Sequence, residues 1–333
     1  MKNQKQELNK GKWLPYKGDD KSWNEILNSF PVKGFLNDVS WGKHLSNMGW
    51  VCLRWEFSRS GSPKAYCQSF FKSYPFRLGM LWIPDGIVGD HRYSASLHQD
   101  LFHSLNLRYC YIRLRDSMVF NVDDCIKLLV GGWVRPKTSL SAAMTMSLDI
   151  SQPVEVIRAG LTQSWRKTLK KSSAMPFDIV VVNDPVAIAS LYLEMKSSKS
   201  LRTREIYSDV AIKSLMKIFG NNIVVVGAKD AEGSLVAIRG AILNKEKATD
   251  IFAATSHKGR ALMASHSLFI TLISECQNRG CIFYDLNGID PSNGIGVYNF
   301  KKGTGASAEA SLGEFEWSNN KLLSLGVNFI SKL

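Results

Sequence analysis

The residues best suited to chemistry in this chain lie in one stretch, Cys281 to Glu316, CIFYDLNGIDPSNGIGVYNFKKGTGASAEASLGEFE. An apolar run, Cys281 to Leu286, has Asp285 and Asn287 at its C-terminal side, and a Gly/Pro/Asn loop then leads to Tyr298, Phe300, Lys301 and Lys302. The spacing predicts a strand, a loop, a short helix carrying the lysines, and a return strand ending in Gly313-Glu314-Phe315. Polar groups at a strand's C-terminal end, beside a glycine loop and two cations, suit a transferase site for an anionic substrate. Asp285 could orient an attacking amine or accept its proton. The plainer reading makes Asp285 and Asn287 loop caps and the lysines surface charge.

Three further constellations stand out. Arg166, Lys167, Lys170 and Lys171 crowd one helix and form a patch that could hold phosphates. The alternative is a solvated face with lysines well placed near a helix C-terminus. Arg204 and Tyr207 lie between two helices, and an arginine fork matches diphosphates and carboxylates. His266 closes the segment Thr255 to His266, as a buried capping histidine or as a substrate contact. That segment carries one glycine, Gly259, and lacks the glycine pattern whose backbone N–H groups cradle the pyrophosphate of coenzyme A. No H-E-x-x-H, G-x-S-x-G, G-x-x-x-x-G-K-[ST] or paired-cysteine pattern occurs, so no metal and no cofactor are expected.

The elements that must position these groups alternate between strand and helix. Residues 1–30 read as a polar, lysine-rich lead-in. A first α/β unit spans 31–152, with strands at Trp50 to Phe57, Ala65 to Phe71, Leu78 to Ile83, Arg108 to Leu114 and Met144 to Ile150. A second spans 153–318 and includes the signature loop. It opens with one helix from Pro153 to about Lys171, where Ile157, Leu161, Trp165 and Leu169 share a face. A long helix, Arg260 to Arg279, precedes the signature, and residues 319–333 form a last helix expected to pack near the first unit.

Composition bounds the rest. With 333 residues, 45% hydrophobic and 11% aromatic, the chain is globular and long enough for two cores. A formal charge of +13 favours a polyanionic partner, such as tRNA, a nucleotide-linked sugar or an acidic lipid surface. The six cysteines show no C-x-x-C spacing and read as reduced, mostly core residues. There is no secretory pattern and no run near ~18 apolar residues. The expected location is cytoplasmic, with peripheral contact at the inner membrane face as a further expectation.

The signature's order and wording resemble those of the Fem family of peptidoglycan-bridge aminoacyltransferases. There a strand ending Y-D-x-x-G leads to Y-x-F-K-x-G and a G-E strand; here these stand as Tyr284-Asp285 with Gly288, Tyr298 to Gly303, and Gly313-Glu314. The resemblance implies an α/β fold of two acetyltransferase-like (GNAT) domains, mixed sheets flanked by helices. It implies transfer of an amino acid from aminoacyl-tRNA to an amine of a peptidoglycan precursor's stem peptide. Lys301, directly after Phe300, would serve near the tRNA acceptor end, with Lys302 in the same role or on phosphate. Other elements fit more loosely. The basic helix resembles the family's R-x-x-I-R-K-A-x-K-K-G helix, with Ser172-Ser173 replacing the glycine. Gly34 to Lys43 is similar to F-x-Q-S-x-x-W-x-x-x-K, with Asn37-Asp38 replacing Gln-Ser, and makes Lys43 the nearest candidate for the phosphates of a nucleotide-linked precursor. Trp82 to Val88 resembles Y-I-P-R-G-P, with Asp85 and Ile87 in place of the arginine and second proline. Arg204 and Tyr207 resemble the family's acceptor-binding loop. The family's helical arm is absent, since no heptad run is long enough.

The expected activity is therefore aminoacyl transfer onto an anionic cell-envelope precursor. The first alternative is a GNAT-fold N-acyltransferase using an acyl thioester, such as acyl-CoA, on a sugar amine or envelope precursor. The second is a non-catalytic RNA- or envelope-binding protein.

Overall fold

The computed structural model of the chain describes residues 11–31, 34–59, 62–199 and 208–330. Two compact units emerge, residues 1–144 with 310–333, and residues 145–309.

In the first unit the strand order is β1 (Gly11–Pro15), β2 (Val51–Arg59), β3 (Ser62–Tyr74), β4 (Leu78–Ile83), β6 (Tyr109–Val119) and β13 (Ser307–Ser318), with β5 (Ile87–Gly89) on β3. β4 and β6 run parallel, pairing Leu78 with Tyr109 and Ile83 with Leu114. β13 returns antiparallel to β6, placing Phe315 opposite Leu114. The core gathers Trp55, Phe57, Ile83, Ile112, Leu114, Leu312 and Phe315. Two elements lie where composition suggests only a lead-in: β1 and the helix α1 (Asp20–Asn28), started by the Asp19 carboxylate accepting from Ser22 N at 2.8 Å. Each is anchored by a single fully buried tryptophan, Trp13 and Trp23. One large side chain per element leaves mean hydropathy low, which hides the anchoring from a composition scan. Helix α2 (Val39–Asn47) precedes β2, helix α3 (Leu97–Ser104) precedes β6, and helix α4 (Val122–Val130), capped by Asn121, follows it.

The second unit orders its strands as β7 (Met144–Asp149), β12 (Phe283–Ile289), β11 (Lys247–Thr255), β10 (Leu235–Asn244), β9 (Ile223–Asp230) and β8 (Phe177–Val181). β9, β10 and β11 are antiparallel neighbours, whereas β11 and β12 are parallel, with Thr249 opposite Asp285. A parallel neighbour requires a crossover. It is supplied by the short helix α9 (His257–Ala261) and helix α10 (Ala264–Asn278), whose buried Leu268, Phe269, Leu272, Ile273 and Cys276 pack on the sheet. Two helices expected to be continuous are each broken. The first splits into α5 (Val154–Gly160) and α6 (Gln163–Ser172) because Leu161 adopts extended backbone, φ −61° and ψ 146°. Arg166 Nη1 then donates to the carbonyls of Ala159 and Leu161, satisfying the freed end of α5. The second breaks at Met263, φ +54°, between α9 and α10. Helices α7 (Pro185–Lys199), α8 (Asp209–Phe219) and α11 (Ile295–Gly303) complete this unit, and α12 (Lys321–Ile330) belongs to the first. All six cysteines are free thiols.

Candidate functional site

The signature forms one site in the second unit, where β12 ends and α11 lies alongside. Asp285 is held by three donors: Lys247 Nζ at 2.8 Å, Thr145 Oγ1 at 2.6 Å and Asn287 N at 2.8 Å. Burial works to raise its carboxyl, but Lys247 foremost, with Thr145 and the Asn287 amide, keeps it below the ordinary carboxylate range. Asp285 is thus a fixed anion and a weak proton acceptor. Asn287 sits in the left-handed region, φ +66°, which asparagine tolerates better than most residues. Its Nδ2 donates to the Asp250 carbonyl at 3.2 Å, tying β12 to β11; the strand runs on to Ile289, so Asp285 and Asn287 lie within it and not beyond its end.

Lys301 is buried, 8% exposed, although it stands beside the exposed Lys302. Its Nζ donates to the carbonyls of Gly288 at 2.7 Å and Asn287 at 3.3 Å, so the helix cation is locked onto the end of β12. Burial pulls the ammonium below the ordinary lysine range; Asp250 and Asp285 pull it back, while Arg239 adds to the lowering. An ammonium has three donors. Two are used here.

An aromatic cluster packs on the helix that carries this cation. Phe300 packs its ring 5.4 Å from Trp165, 5.2 Å from His266 and 6.0 Å from Phe269. Trp165 Nε1 donates to the Phe300 carbonyl at 3.1 Å. Gly303 lets the cluster close: a Cβ there would meet Trp165 at 2.3 Å. Burial lowers the His266 imidazole, which favours its neutral form, and its ring lies 4.6 Å from Trp165. The Arg239 guanidinium lies 4.8 Å from the Phe300 ring and pairs with Asp250 behind it. Both partners of that pair are buried, and burial opposes the charge on Arg239, an effect that Asp250 and Tyr284 outweigh.

The other expected residues divide clearly. Tyr298 is half-buried against the core, with Lys302 Nζ 5.8 Å from its ring. On α6, Trp165 and Leu169 face inward while Lys167, Lys170 and Lys171 are exposed. Arg166 is engaged by the end of α5, so the basic face rests on the three lysines. Lys43 lies in the first unit, ion-paired to Asp20 at 3.0 Å, in a cavity of about 400 Å³ that Arg54, Asn47 and Tyr16 also line. Arg204 and Tyr207 lie outside the described residues.

The turn after β11 bears on the donor. Gly259 N donates to Ser256 Oγ, Arg260 N to Ser256 O, Leu262 N to Lys258 O, Met263 N to Arg260 O and His266 N to Met263 O. These five amides are all spent within the turn. A Cβ on Gly259 would come within 2.2 Å of the Val236 carbonyl, so this glycine serves close packing on β10.

The FemAB family's sequence profile matches residues 194–332, the part of the chain that holds β12, α11 and β13. The matched segment is similar to the FemAB family, and the fold is GNAT-like. A solved structure of FemX is similar over 95% of this chain and 100% of that one, at 15% identity and a TM-score of 0.76. A tandem GNAT protein from the clavulanic acid biosynthesis pathway matches over 93% and 99%, at 11% identity and a TM-score of 0.60. L-PGS from Bacillus licheniformis matches over 96% and 97%, at 11% identity and a TM-score of 0.55. No curated protein sequence matches the chain. These identities speak to architecture, and the expected pair of GNAT-like domains is the one found.

Several buried polar residues escaped sequence reading. Arg239 and Asp250 each interrupt an apolar strand on either side of the turn at Lys245 and Glu246. A charge inside the apolar stretch of each arm of one hairpin was the available signal. In the first unit, Arg113 Nη1 reaches Glu314 at 2.8 Å, and Tyr111 and Asn328 donate to Glu316, at 2.8 Å and about 3 Å. Asp85, in place of the arginine of Y-I-P-R-G-P, is buried near Arg115, and Asp116 is buried beside His91.

Proposed function

We propose that the protein is an aminoacyltransferase that moves an amino acid from aminoacyl-tRNA to an amine of a peptidoglycan precursor's stem peptide. The observation that carries this reading is the buried Lys301 ammonium, fixed by the end of β12, within the segment matched by the FemAB family profile. An aminoacyl ester is already activated, so the reaction needs positioning and charge stabilisation and no covalent enzyme intermediate. The attacking amine forms the new C–N bond, the C–O bond to the ribose breaks, and the amine's proton ends on the ribose oxygen. In this reading the third N–H of Lys301 meets the oxygen on which charge develops. Asp285, kept ionised, orients the ammonium and the end of β12, and Lys167, Lys170 and Lys171 bind donor phosphates. Lys43, with its cavity in the first unit, takes the anionic part of the precursor.

The spent amides of Gly259, Arg260, Leu262, Met263 and His266 favour this donor over an acyl-CoA, since these five are closed to a pyrophosphate. The test is transfer of a labelled amino acid from charged tRNA to a precursor carrying a free stem-peptide amine. RNase-sensitive incorporation is expected. Release of coenzyme A from an acyl-CoA, with no RNase-sensitive transfer, would favour the thioester reading and overturn this one.

A further inference from the structure

One end of the first unit's sheet has a composition that its fold does not require. Five strand ends meet there: the start of β2, the end of β3, the starts of β4 and β6, and the end of β13. The β3–β4 turn projects Phe76, 84% exposed, with Tyr74 exposed just before it. Phe76 and Arg77 both sit at positive φ, 63° and 57°, where glycine or asparagine would be the easy choice. The turn is nevertheless held firmly, because Arg77 Nε donates to the Asn106 carbonyl at 3.0 Å. An exposed aromatic is thus presented on a fixed, unfavourable backbone.

Its surroundings are cationic and amphipathic. Lys72 Nζ lies 4.5 Å from the Trp50 ring, and the Arg108 guanidinium lies 5.3 Å from that of Tyr109. Asn319 Nδ2 donates to the Arg108 carbonyl at 2.9 Å, which brings the start of α12, with Lys321 and the 78%-exposed Leu322, to the same end. The segments that build this end, 44–55, 69–84, 101–115 and 317–330, contain no aspartate or glutamate. An acid-free set of cations complements an anionic surface. Tryptophan and tyrosine rings with an apolar body and a polar edge suit a headgroup layer, and a protruding phenylalanine and leucine suit the acyl chains beneath.

We propose that this end of the sheet docks peripherally on an anionic lipid membrane, with Phe76 and Leu322 entering the interface and Lys72, Arg77, Arg108 and Lys321 facing the headgroups. Leucine offers no stacking platform for a base, so lipid is favoured over single-stranded RNA. Among the described residues no helix is long and apolar enough to cross a membrane, so attachment at this end is reversible.

The test is co-sedimentation of the full chain with phosphatidylcholine vesicles, with and without phosphatidylglycerol, at two salt concentrations. Binding is expected only with phosphatidylglycerol, and weaker at high salt. Phe76→Gly, which suits the turn's backbone and removes no buried contact, is expected to weaken binding roughly tenfold. Lys72→Gln and Arg108→Gln are expected to weaken it roughly fivefold each. Leu322→Ser is a second apolar probe at a separate exposed position. Equal binding to both vesicle types, or unchanged binding by Phe76→Gly and Leu322→Ser, would overturn the proposal. So would variants that keep vesicle binding and lose binding to a single-stranded RNA.

Discussion

Replacing Lys301 by methionine removes a cation while keeping most of its volume. The ammonium lies 2.7 Å from the Gly288 carbonyl and 3.3 Å from that of Asn287, so its position is set by the strand end. A preorganised donor of this kind is worth about 2.7–4 kcal/mol to a transition state that develops charge on oxygen, or 100- to 1000-fold in kcat. Because the interaction strengthens only as the ester breaks, KM should stay nearly constant. The substitution also leaves two main-chain carbonyls without their donor, which costs on the order of 1–3 kcal/mol of stability. A thermal melt therefore accompanies the kinetics, and kcat is referred to folded protein. Lys301→Arg keeps the charge but replaces the compact ammonium by a planar fork, so only partial recovery is expected. Near-wild-type kcat for Lys301→Met, with charged tRNA and a competent acceptor, would refute the catalytic assignment and leave the lysine as a brace between α11 and β12.

Three other outcomes follow from the same structure. Lys170→Met should weaken donor binding and reduce the slope of log K against log salt by about 0.7–0.9, with kcat unchanged; an unaltered slope would make the α6 lysines a solvated face. Gly259→Ala drives a Cβ to within 2.2 Å of the Val236 carbonyl, and should lower stability by roughly 1–3 kcal/mol in denaturant melts; no change would mean that the turn relaxes freely. Burial pushes both His44 and His98 down to about 4. Unfolded, each binds a proton near pH 6.5, so the unfolded state takes up more protons and stability falls as pH drops from about 6.5 towards 4, by up to about 3 kcal/mol per histidine. Melting temperatures that stay flat across that window would contradict it, and His44→Gln should flatten part of the slope.

The signature was legible because its residues are local. A strand end, a loop and a helix within some twenty residues bring Asp285, Asn287, Phe300 and Lys301 together with no long-range information. Trp165 and His266 were readable as singular residues on apolar faces, but not as neighbours of Phe300, since that depends on how α6 and α10 cross the sheet. The breaks at Leu161 and Met263 were hidden because the apolar spacing continues across them. Neither Gly160 nor Gly259 announces a stop by type alone; the close approach of the Val236 carbonyl gives Gly259 its meaning. Buried charges such as Arg239 and Arg113 escaped for a related reason. A charged residue in a strand is read as solvent-facing until its partner, supplied by another strand, is in place.

The first unit is closed by residues that come after the whole of the second. Leu312 and Phe315 belong to its core, and Glu314 is the acceptor for the buried Arg113 guanidinium. During synthesis, then, residues 1–144 wait with the edge of β6 open and a buried arginine uncompensated while residues 145–309 are made and can fold. Order of emergence and order of completion are reversed: the segment that starts first finishes last. A ribosome stall or a protease cut near residue 310 would leave the second unit with every strand of its sheet and the first with an unpaired edge. Limited proteolysis of nascent or truncated chains should therefore recover the second unit as the resistant fragment.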